Sequence, residues 1–171
     1  MIDRQPTLDG DRVRLRPLRA DDWTALFAVA ADPAIWAIHP AHDRWQEDVF
    51  RAFFDEALAG GGALLIEDAR TGEPIGSSRY GDPGDDRIEI GWTFLARSHW
   101  GGDVNREVKR MMIAHILPQV PTVFFQVGEE NIRSRRALEK LGAVLTDERT
   151  MVERAGRPVP HVVYTIDRVP D

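Results

Sequence analysis

The chain has 171 residues, of which 43% are hydrophobic and 29% charged, and its net charge is −6. This length favours a single domain over residues 1–171, with a hydrophobic core and a charged surface. The acidic balance argues against a protein that coats nucleic acid, and no apolar run reaches the roughly 20 residues of a membrane span. The absence of cysteine excludes disulfides and thiolate metal sites, so we expect a cytoplasmic protein without a metal ion.

The first third of the chain predicts one strand and two helices. Arginines alternate with apolar residues over residues 12–18, which indicates a strand. Apolar residues then recur at helical spacing, with Asp21 or Asp22 as the expected N-cap and Pro33 as the expected end. Residues 42–62 repeat the helical pattern with a stripe of phenylalanines and end at three glycines.

The middle of the chain predicts three strands joined by turns. The segments ALLIED and EPIGSSRY flank a hairpin turn at residues 70–72, and a second turn falls at residues 82–86. The next segment, RIEIGWTFLA, alternates and so predicts two faces. We expect one face to carry Ile88, Ile90, Trp92 and Phe94, and the other to carry Glu89, Gly91 and Thr93.

The last part of the chain predicts two strand–helix units and a closing hairpin. A helix follows SHWGGDVNREVK, TVFFQV reads as a buried strand, and NIRSRRALEKLGA reads as a helix that ends at its glycine. Two final strands are joined around residues 154–157. The resulting order, β-α-α-β-β-β-α-β-α-β-β, predicts an α/β domain whose mixed sheet has helices on both faces.

Two helix starts carry residues that could bind a ligand. Gly101 and Gly102 precede a helix whose free N–H groups and dipole could hold a phosphate. The acid Asp103 follows them, and taken alone this loop is better explained as a turn that caps a helix. Asn131 and Ser134 begin the next helix, where they could bind an amide and donate a proton or simply cap the helix.

Together these segments resemble the acetyl-CoA-binding half of the GNAT acetyltransferases. The likeness lies in IEIGWTFLARSHWGG, the helix after it, TVFFQV and ENIRSRRALEKLGA, and the element order matches over nearly the whole chain. The branch that the chain most resembles is the ribosomal-protein N-terminal acetyltransferase-like group. The resemblance implies a mostly antiparallel central sheet. It also implies transfer of acetyl from acetyl-CoA to a primary amine, either a small molecule or a protein N-terminus.

The resemblance also implies a cofactor site. The family loop, Q/R-x-x-G-x-G/A, would begin at Trp100 here, and the chain departs from it at Trp100, Asp103 and Asn105. Backbone amides can still face the pyrophosphate whatever the side chains are. Asp103 could turn its carboxylate outward or cap the helix, and Arg106 is close enough in sequence to offset its charge. The implied cofactor residues are Phe94, Leu95, Ala96, Trp100, Gly101, Gly102, Asp103, Val104, Asn105, Asn131 and Arg136.

The catalytic roles implied by the resemblance are those of a general base and a general acid. Glu89 matches an acidic position that the family often uses as the base, commonly through water; alternatively it faces solvent or pairs with Arg79. The tyrosine that many relatives use as the acid is replaced by Leu138. Ser134 is therefore the expected proton donor to the leaving sulfur, with Tyr164 as a weaker alternative.

The acceptor side of the site is expected between the first two helices. Trp36, His39 and Trp45, together with Glu89, are the implied substrate residues, although they could instead pack the corner between the helices. The negative net charge leans towards a cationic acceptor. A rival interpretation is a CoA-binding or interaction module of the same fold without turnover. The sequence leaves the oligomeric state open, with a homodimer as one option.

Overall fold

The computed structural model describes all 171 residues of the chain. Its strands are β1 Leu8–Asp9, β2 Val13–Pro17, β3 Ala63–Asp68, β4 Pro74–Tyr80, β5 Arg87–Leu95, β6 Thr122–Gly128, β7 Val144–Arg154 and β8 Arg157–Ile166. Its helices are α1 Trp23–Ala30, α2 Pro33–Trp36, α3 Glu47–Gly60, α4 Val104–Ile116 and α5 Ile132–Leu141.

The eight strands form one open sheet in the order β1-β2-β3-β4-β5-β6-β8-β7. All neighbours in this sheet are antiparallel except β5 and β6, which are parallel and joined by α4. The predicted fold class is confirmed. The predicted order of strands and helices is also observed, with the short β1 and α2 as additions that the sequence pattern did not reveal.

Two hydrophobic cores lie on the two faces of the sheet. The first core joins α4 and α5 to the sheet, with Val108 and Leu138 packed among strand residues such as Ile88. The second core joins α1, α2 and α3 to the other face, with Phe50 of α3 fully buried. Helices therefore cover both faces, and the strand ends between the cores are left to form a site.

The helix α3 forms as its sequence predicts. Its buried side chains Phe50, Phe53, Phe54 and Ala57 recur at the spacing of one helix face, and this face packs in the second core. Gly61 ends the helix with a left-handed φ of 69°, a conformation that glycine adopts without a steric cost. The phenylalanine stripe and the glycine run thus determine both the face and the end of α3.

The two predicted boundaries of the first helix have different outcomes. Helix α1 ends at Ala30, ahead of Pro33 as predicted, and Pro33 itself begins α2, which Asp32 caps by accepting the Ala34 N–H at 3.1 Å. Asp22 precedes α1 but does not cap it with its side chain. Its carboxylate instead binds the Arg16 guanidinium at 2.7 Å and accepts the Arg19 N–H at 2.8 Å.

A bulge in β5 changes which of its side chains share a face. Trp92 has a left-handed φ of 52°, and residues 92 and 93 together stand opposite the single residue Ser78 of β4. The predicted alternation is therefore wrong from Trp92 onward, since Trp92 packs against the second core and not with Ile88 and Ile90. Ile88 and Ile90 lie in the first core, whereas Phe94 packs in the second core. The extra residue shifts the register of β5 against β4 by one. Every later side chain of β5 therefore points to the opposite face of the sheet.

One charged side chain of α4 is buried against the sheet. Lys109 is 7% exposed, and its ammonium group donates to the hydroxyl of Thr93 on β5. That hydroxyl also shares a hydrogen bond of 2.8 Å with Ser78. No carboxylate pairs with the ammonium group, and burial lowers the pKa of Lys109 to about 7.

We expect Lys109→Met to remove a pH dependence of stability. The folded pKa lies below the unfolded value of 10.5, so the unfolded chain binds more protons between these values. The free energy of unfolding of the wild type should rise by about 2 kcal/mol from pH 7 to pH 9 through this group. Lys109→Met should be more stable at pH 7 and lack this rise in urea unfolding.

A matched control is Lys140→Met, which changes an exposed lysine of α5. This control should keep the rise of the wild type between pH 7 and pH 9. An equal rise in Lys109→Met and the wild type would contradict the assignment of the pH dependence to Lys109.

Candidate active site

The site lies where β5 and β6 separate. Parallel pairing joins residues 87–89 of β5 to residues 122–124 of β6, although β5 continues to Leu95 and β6 to Gly128. The bulge at Trp92 lies in the part of β5 that β6 does not pair. The opening therefore exposes strand edges to which an extended ligand with amide groups can bind.

Glu89 is placed at the point where this pairing ends. Its side chain is half-buried, and its Oε2 accepts a hydrogen bond from Nε2 of Gln126 on β6 at 3.2 Å. The amide of Gln126 is itself oriented, because its Oε1 accepts the hydroxyl of Thr150 on β7 at 2.8 Å. Three strands thus hold the carboxylate of Glu89 at the mouth of the opening.

The electrostatic surroundings suit Glu89 to proton transfer. Burial raises its pKa, while the hydrogen bond from Gln126 and the positive charges of Arg154 and Arg79 act in the opposite direction. The alternative in which Glu89 pairs with Arg79 is not formed, because Arg79 binds Glu56 at 3.2 Å. A carboxylate whose pKa is raised towards neutrality can accept a proton from an ammonium group more readily than an ordinary surface glutamate.

The glycine loop forms a turn in front of α4. Gly101 has a left-handed φ of 73°, and a Cβ atom at either Gly101 or Gly102 would meet open space. Asp103 stands at the N-cap position but makes no side-chain cap hydrogen bond. The first turn of the 13-residue α4 therefore presents N–H groups to a space that a phosphate could enter.

The carboxylate of Asp103 points towards β2 rather than towards its neighbour in sequence. It is 70% exposed and lies 3.5 Å from the guanidinium of Arg12. The expected partner Arg106 instead donates to the backbone oxygen of Asp171 at 3.1 Å. The pairing expectation was wrong because Arg12 is 91 residues away in sequence and only the fold brings it to the loop.

Trp100 connects this loop to the rest of the site. Its indole N–H donates to the carbonyl of Leu95 at 2.9 Å, and the guanidinium of Arg133 lies 4.0 Å above its ring. The carbonyl of Leu95 is thereby hydrogen-bonded within the protein. The N–H of Ala96 is also hydrogen-bonded, because it donates to the carbonyl of Ile75 at 2.7 Å. Of the residues 94–96 expected to bind the cofactor, only part of the backbone is free to do so.

The start of α5 contains the predicted asparagine and serine. Asn131 is 8% exposed and caps the helix, its side-chain oxygen accepting the Ser134 N–H at 3.4 Å. The hydroxyl of Ser134 is half-buried and forms no hydrogen bond within the protein. Arg136 is exposed on the same helix. Ser134 thus has a free hydroxyl, whereas the side-chain oxygen of Asn131 is already used by the helix.

Tyr164 is engaged elsewhere. It is fully buried in the first core, and its hydroxyl accepts from Arg135 at 3.1 Å and donates to Glu139 at 2.8 Å. A tyrosine whose proton is directed at a carboxylate has no proton to give to a ligand without breaking that bond.

The expected acceptor residues differ in exposure. Trp36 is 1% exposed, donates to the Ala30 carbonyl at 2.9 Å and packs against Phe94, so it supports the site from behind. His39 accepts the Ala41 N–H through Nδ1 at 2.9 Å, and burial lowers its pKa to about 3. Trp45 is 40% exposed. His39 is therefore a neutral imidazole at the edge of the site.

Sequence reasoning missed several polar residues of this region. Gln126 had a usable signal, since it is the one polar side chain in the apolar run of its strand. Arg44 and Arg154 had none, because they stand in a helix connection and a hairpin end that are far apart in sequence. His99 also gains an unforeseen partner, Asp68, at 3.0 Å, which ties the start of the glycine loop to the end of β3.

A family comparison identifies the fold of the chain. A model described as the acetyltransferase (GNAT) domain matches residues 12–144, which is more than half of the chain. The chain belongs to the GNAT acetyltransferase family. This family uses acetyl-CoA, and the match favours an acetyltransferase over a module without activity. None of the helices of this GNAT protein has the length and hydrophobicity of a membrane span.

Several solved structures share the fold. A GCN5-related N-acetyltransferase from Brucella melitensis has 20% identity and a TM-score of 0.78, with 95% of this chain and 78% of that chain covered. An acetyltransferase from Agrobacterium tumefaciens has 24% identity and a TM-score of 0.71, with 95% of each chain covered. Mycobacterium smegmatis RimJ in complex with CoA-disulfide has 21% identity and a TM-score of 0.72, with 90% and 81% covered. A sequence comparison with curated proteins gives no match.

Proposed function

We propose that this GNAT acetyltransferase moves an acetyl group from acetyl-CoA to a primary amine by direct attack on the thioester. The amine is a protein N-terminus or a small molecule. The observation that carries the proposal is Glu89, a half-buried carboxylate of raised pKa that Gln126 orients at the opening between β5 and β6. A general base held at the mouth of a strand opening is what amine acetylation requires.

In the proposed reaction, Glu89 takes a proton from the acceptor ammonium group, directly or through a water molecule. The neutral nitrogen then attacks the thioester carbonyl carbon. As the C–S bond breaks, the nitrogen loses its second proton, which passes to the departing sulfur through Ser134 or water, and the products are the amide and the free thiol of CoA. Ser134, whose hydroxyl is free, donates a hydrogen bond or a proton to the departing sulfur. Much of the rate enhancement is expected from holding the two reactants together, which can supply about 7–11 kcal/mol in favourable systems.

The glycine loop and the end of β5 would hold acetyl-CoA. We assign its pyrophosphate to the backbone amides of residues 101–105 at the N-terminus of α4, where the glycines border open space. The pantetheine arm is assigned to the free edge of β5 near residues 94–96. Trp100, Asn131 and Arg136 complete the expected surface, with Arg136 exposed and free to approach a phosphate.

We further propose that the chain belongs to the ribosomal-protein N-terminal acetyltransferase-like branch. The shared fold with a RimJ structure supports this placement, as does a solvent-open cavity between α3 and the turn that joins β7 to β8. A cytoplasmic location and a homodimer stay predictions.

Two measurements test the function. Calorimetry with acetyl-CoA and with CoA should give binding of both, and a bound ligand should raise the melting temperature. Acetyl transfer should then be followed with a panel that includes N-terminal peptides, amino acids and polyamines. Absence of any thermal stabilisation at millimolar acetyl-CoA would refute the proposal, whereas binding without transfer to any amine would favour the inactive module.

We expect Asp103→Asn to leave acetyl-CoA binding within about threefold of the wild type. The carboxylate of Asp103 is exposed and paired with Arg12, so it already lies outside the proposed phosphate site. The dissociation constant from calorimetry checks this expectation. Tighter binding by tenfold or more would mean that the carboxylate faces the phosphate and that the loop geometry described above is incorrect.

A further inference from the structure

A cavity adjoins the candidate active site on the side of α3. Its volume is about 270 Å³, and its walls come from the connection before α3, from α3 itself and from the turn between β7 and β8. Both Arg44 and Arg154 line it. The cavity is open to solvent and large enough for an amino-acid-sized group.

The two cavity arginines lack acidic partners. Arg44 stacks 4.5 Å from the ring centre of Phe53, and neither Arg44 nor Arg154 takes part in an ion pair. The Nε atom of Arg154 is buried and has no hydrogen-bond partner at all. A buried guanidinium donor without an acceptor is costly, so the arrangement is incomplete as it stands.

The carboxylates around the cavity do not fill this role. Asp43, Glu56 and Glu153 line the cavity, but none of them pairs with either arginine. Glu56 is bound to Arg79, and Glu153 is exposed. Arg44 and Arg154 thus have no carboxylate partner, although Nη1 of Arg154 donates to the backbone carbonyl of Glu153 at 3.1 Å.

Arg154 ends the strand whose Thr150 binds Gln126, the hydrogen-bond partner of Glu89. Burial raises the pKa of Glu89 and the charge of Arg154 partly opposes this rise, while burial, with Arg154 and Arg79, lowers the pKa of Arg44 to about 10. His39 is neutral and lies near the same charges. A bound anion would relieve the repulsion among these arginines.

We infer that the acceptor amine also carries a carboxylate, which Arg44 and Arg154 bind while Glu89 receives the proton of the amine. This inference rests on the proposed transfer reaction. The acceptor class is thus an amino acid or a peptide whose N-terminal residue is acidic. This inference is opposite to the cationic acceptor that the net charge favoured. The charge of the whole surface says little about a cavity lined by two half-buried arginines that have no ion-pair partner.

The test compares acceptors that differ only in one carboxylate. Free amino acids are paired with their C-terminal amides, and peptides that begin with Asp or Glu are paired with peptides that begin with Asn or Gln. We expect kcat/KM to be at least roughly tenfold higher for the carboxylate member of one pair type, mainly through KM. A preference within the amino-acid pairs would identify a free amino acid as the acceptor, and a preference within the peptide pairs would identify a peptide with an acidic N-terminal residue.

Variants locate the effect. Arg44→Gln and Arg154→Gln should each bring the ratio of kcat/KM between paired acceptors close to one. This ratio is the readout, because the charge of Arg154 also acts on Glu89 and its loss changes the rate with both members of a pair. Two variants are used so that a folding defect in one leaves the other informative, and melting temperatures check folding. Arg14→Gln, at an exposed position of β2 paired with Asp9, is the matched control and should keep the ratio.

Failure of this inference is separable from failure of the proposed function. Equal kcat/KM within every pair, or a preference for polyamines such as spermidine, overturns the inference and leaves the transferase intact. If no amine is acetylated, calorimetric titration of the acetyl-CoA-loaded protein with the same pairs decides. Tighter binding of the carboxylate members then supports the anion site without transferase activity, and equal binding overturns it.

Discussion

Glu89→Gln should lower kcat/KM for acetyl transfer by roughly 10²- to 10⁴-fold, the usual contribution of a general base. The amide keeps the size of the side chain and can still accept the hydrogen bond from Gln126, so the opening between the strands should keep its shape. Binding of acetyl-CoA should be unchanged by calorimetry. The kinetic loss should therefore report proton transfer rather than a damaged site.

The pH profile sharpens this expectation. Because burial raises the pKa of Glu89, wild-type kcat/KM should rise with pH through a midpoint above 4.5, the ordinary value of a glutamate. Glu89→Gln should lack this limb. With an acceptor amine that is already neutral at the assay pH, the difference in kcat/KM between the wild type and Glu89→Gln should be smaller, because such an amine needs no base. The exposed hairpin variant Glu73→Gln should behave as the wild type, and equal rates in Glu89→Gln and the wild type would remove Glu89 from the mechanism.

Gly76→Ala should destabilise the fold by about 3 kcal/mol or more, the upper range for an overpacked interior. A Cβ atom on this β4 residue would lie 2.1 Å from the carbonyl oxygen of Phe94 and 3.1 Å from Cα of Leu95. Both obstacles are backbone atoms of β5, so no side-chain rotation can relieve the contact. The strand expected to hold the cofactor would have to move, and acetyl-CoA binding should weaken together with stability.

Thermal and urea unfolding measure this effect, which corresponds to a fall in melting temperature of roughly 6–12 °C for a chain of this length. Gly60→Ala is the matched control. A Cβ at this exposed last residue of α3 meets nothing within 4 Å, and the change should stabilise the helix by up to about 1 kcal/mol. Similar melting temperatures for the two variants would mean that β4 and β5 are not packed as described.

Local patterns predicted most of the fold. The phenylalanine stripe of α3, its glycine end and the hairpin at residues 70–72 all depend on residues that are close together in sequence. Local sequence patterns are therefore enough to predict them. The bulge at Trp92 does not depend on neighbours alone. It arises from the register between β5 and β4, which no alternation within β5 can reveal.

The candidate site was less predictable for a related reason. Glu89, Ser134 and the glycine loop were identified by resemblance, and the structure brings Glu89 to the end of the β5–β6 pairing. The partners that determine its chemistry come from distant parts of the chain. Gln126 lies 37 residues away, and Arg154 acts on Glu89 from the end of β7. The charges that surround Glu89 are brought together only by the fold, so they cannot be predicted from the composition of the chain.

The short pairing between β5 and β6 has a consequence for the dynamics of the whole chain. Strands β1–β5 and strands β6–β8 form two sub-sheets whose direct backbone link is three residue pairs of β5 and β6. Such a narrow seam is where sub-global opening should begin, and the amides of residues 87–89 should report it by hydrogen exchange. A ligand seated in the opening contacts both sub-sheets at once. Ligand binding should therefore slow amide hydrogen exchange along the seam, including at amides that the ligand does not contact.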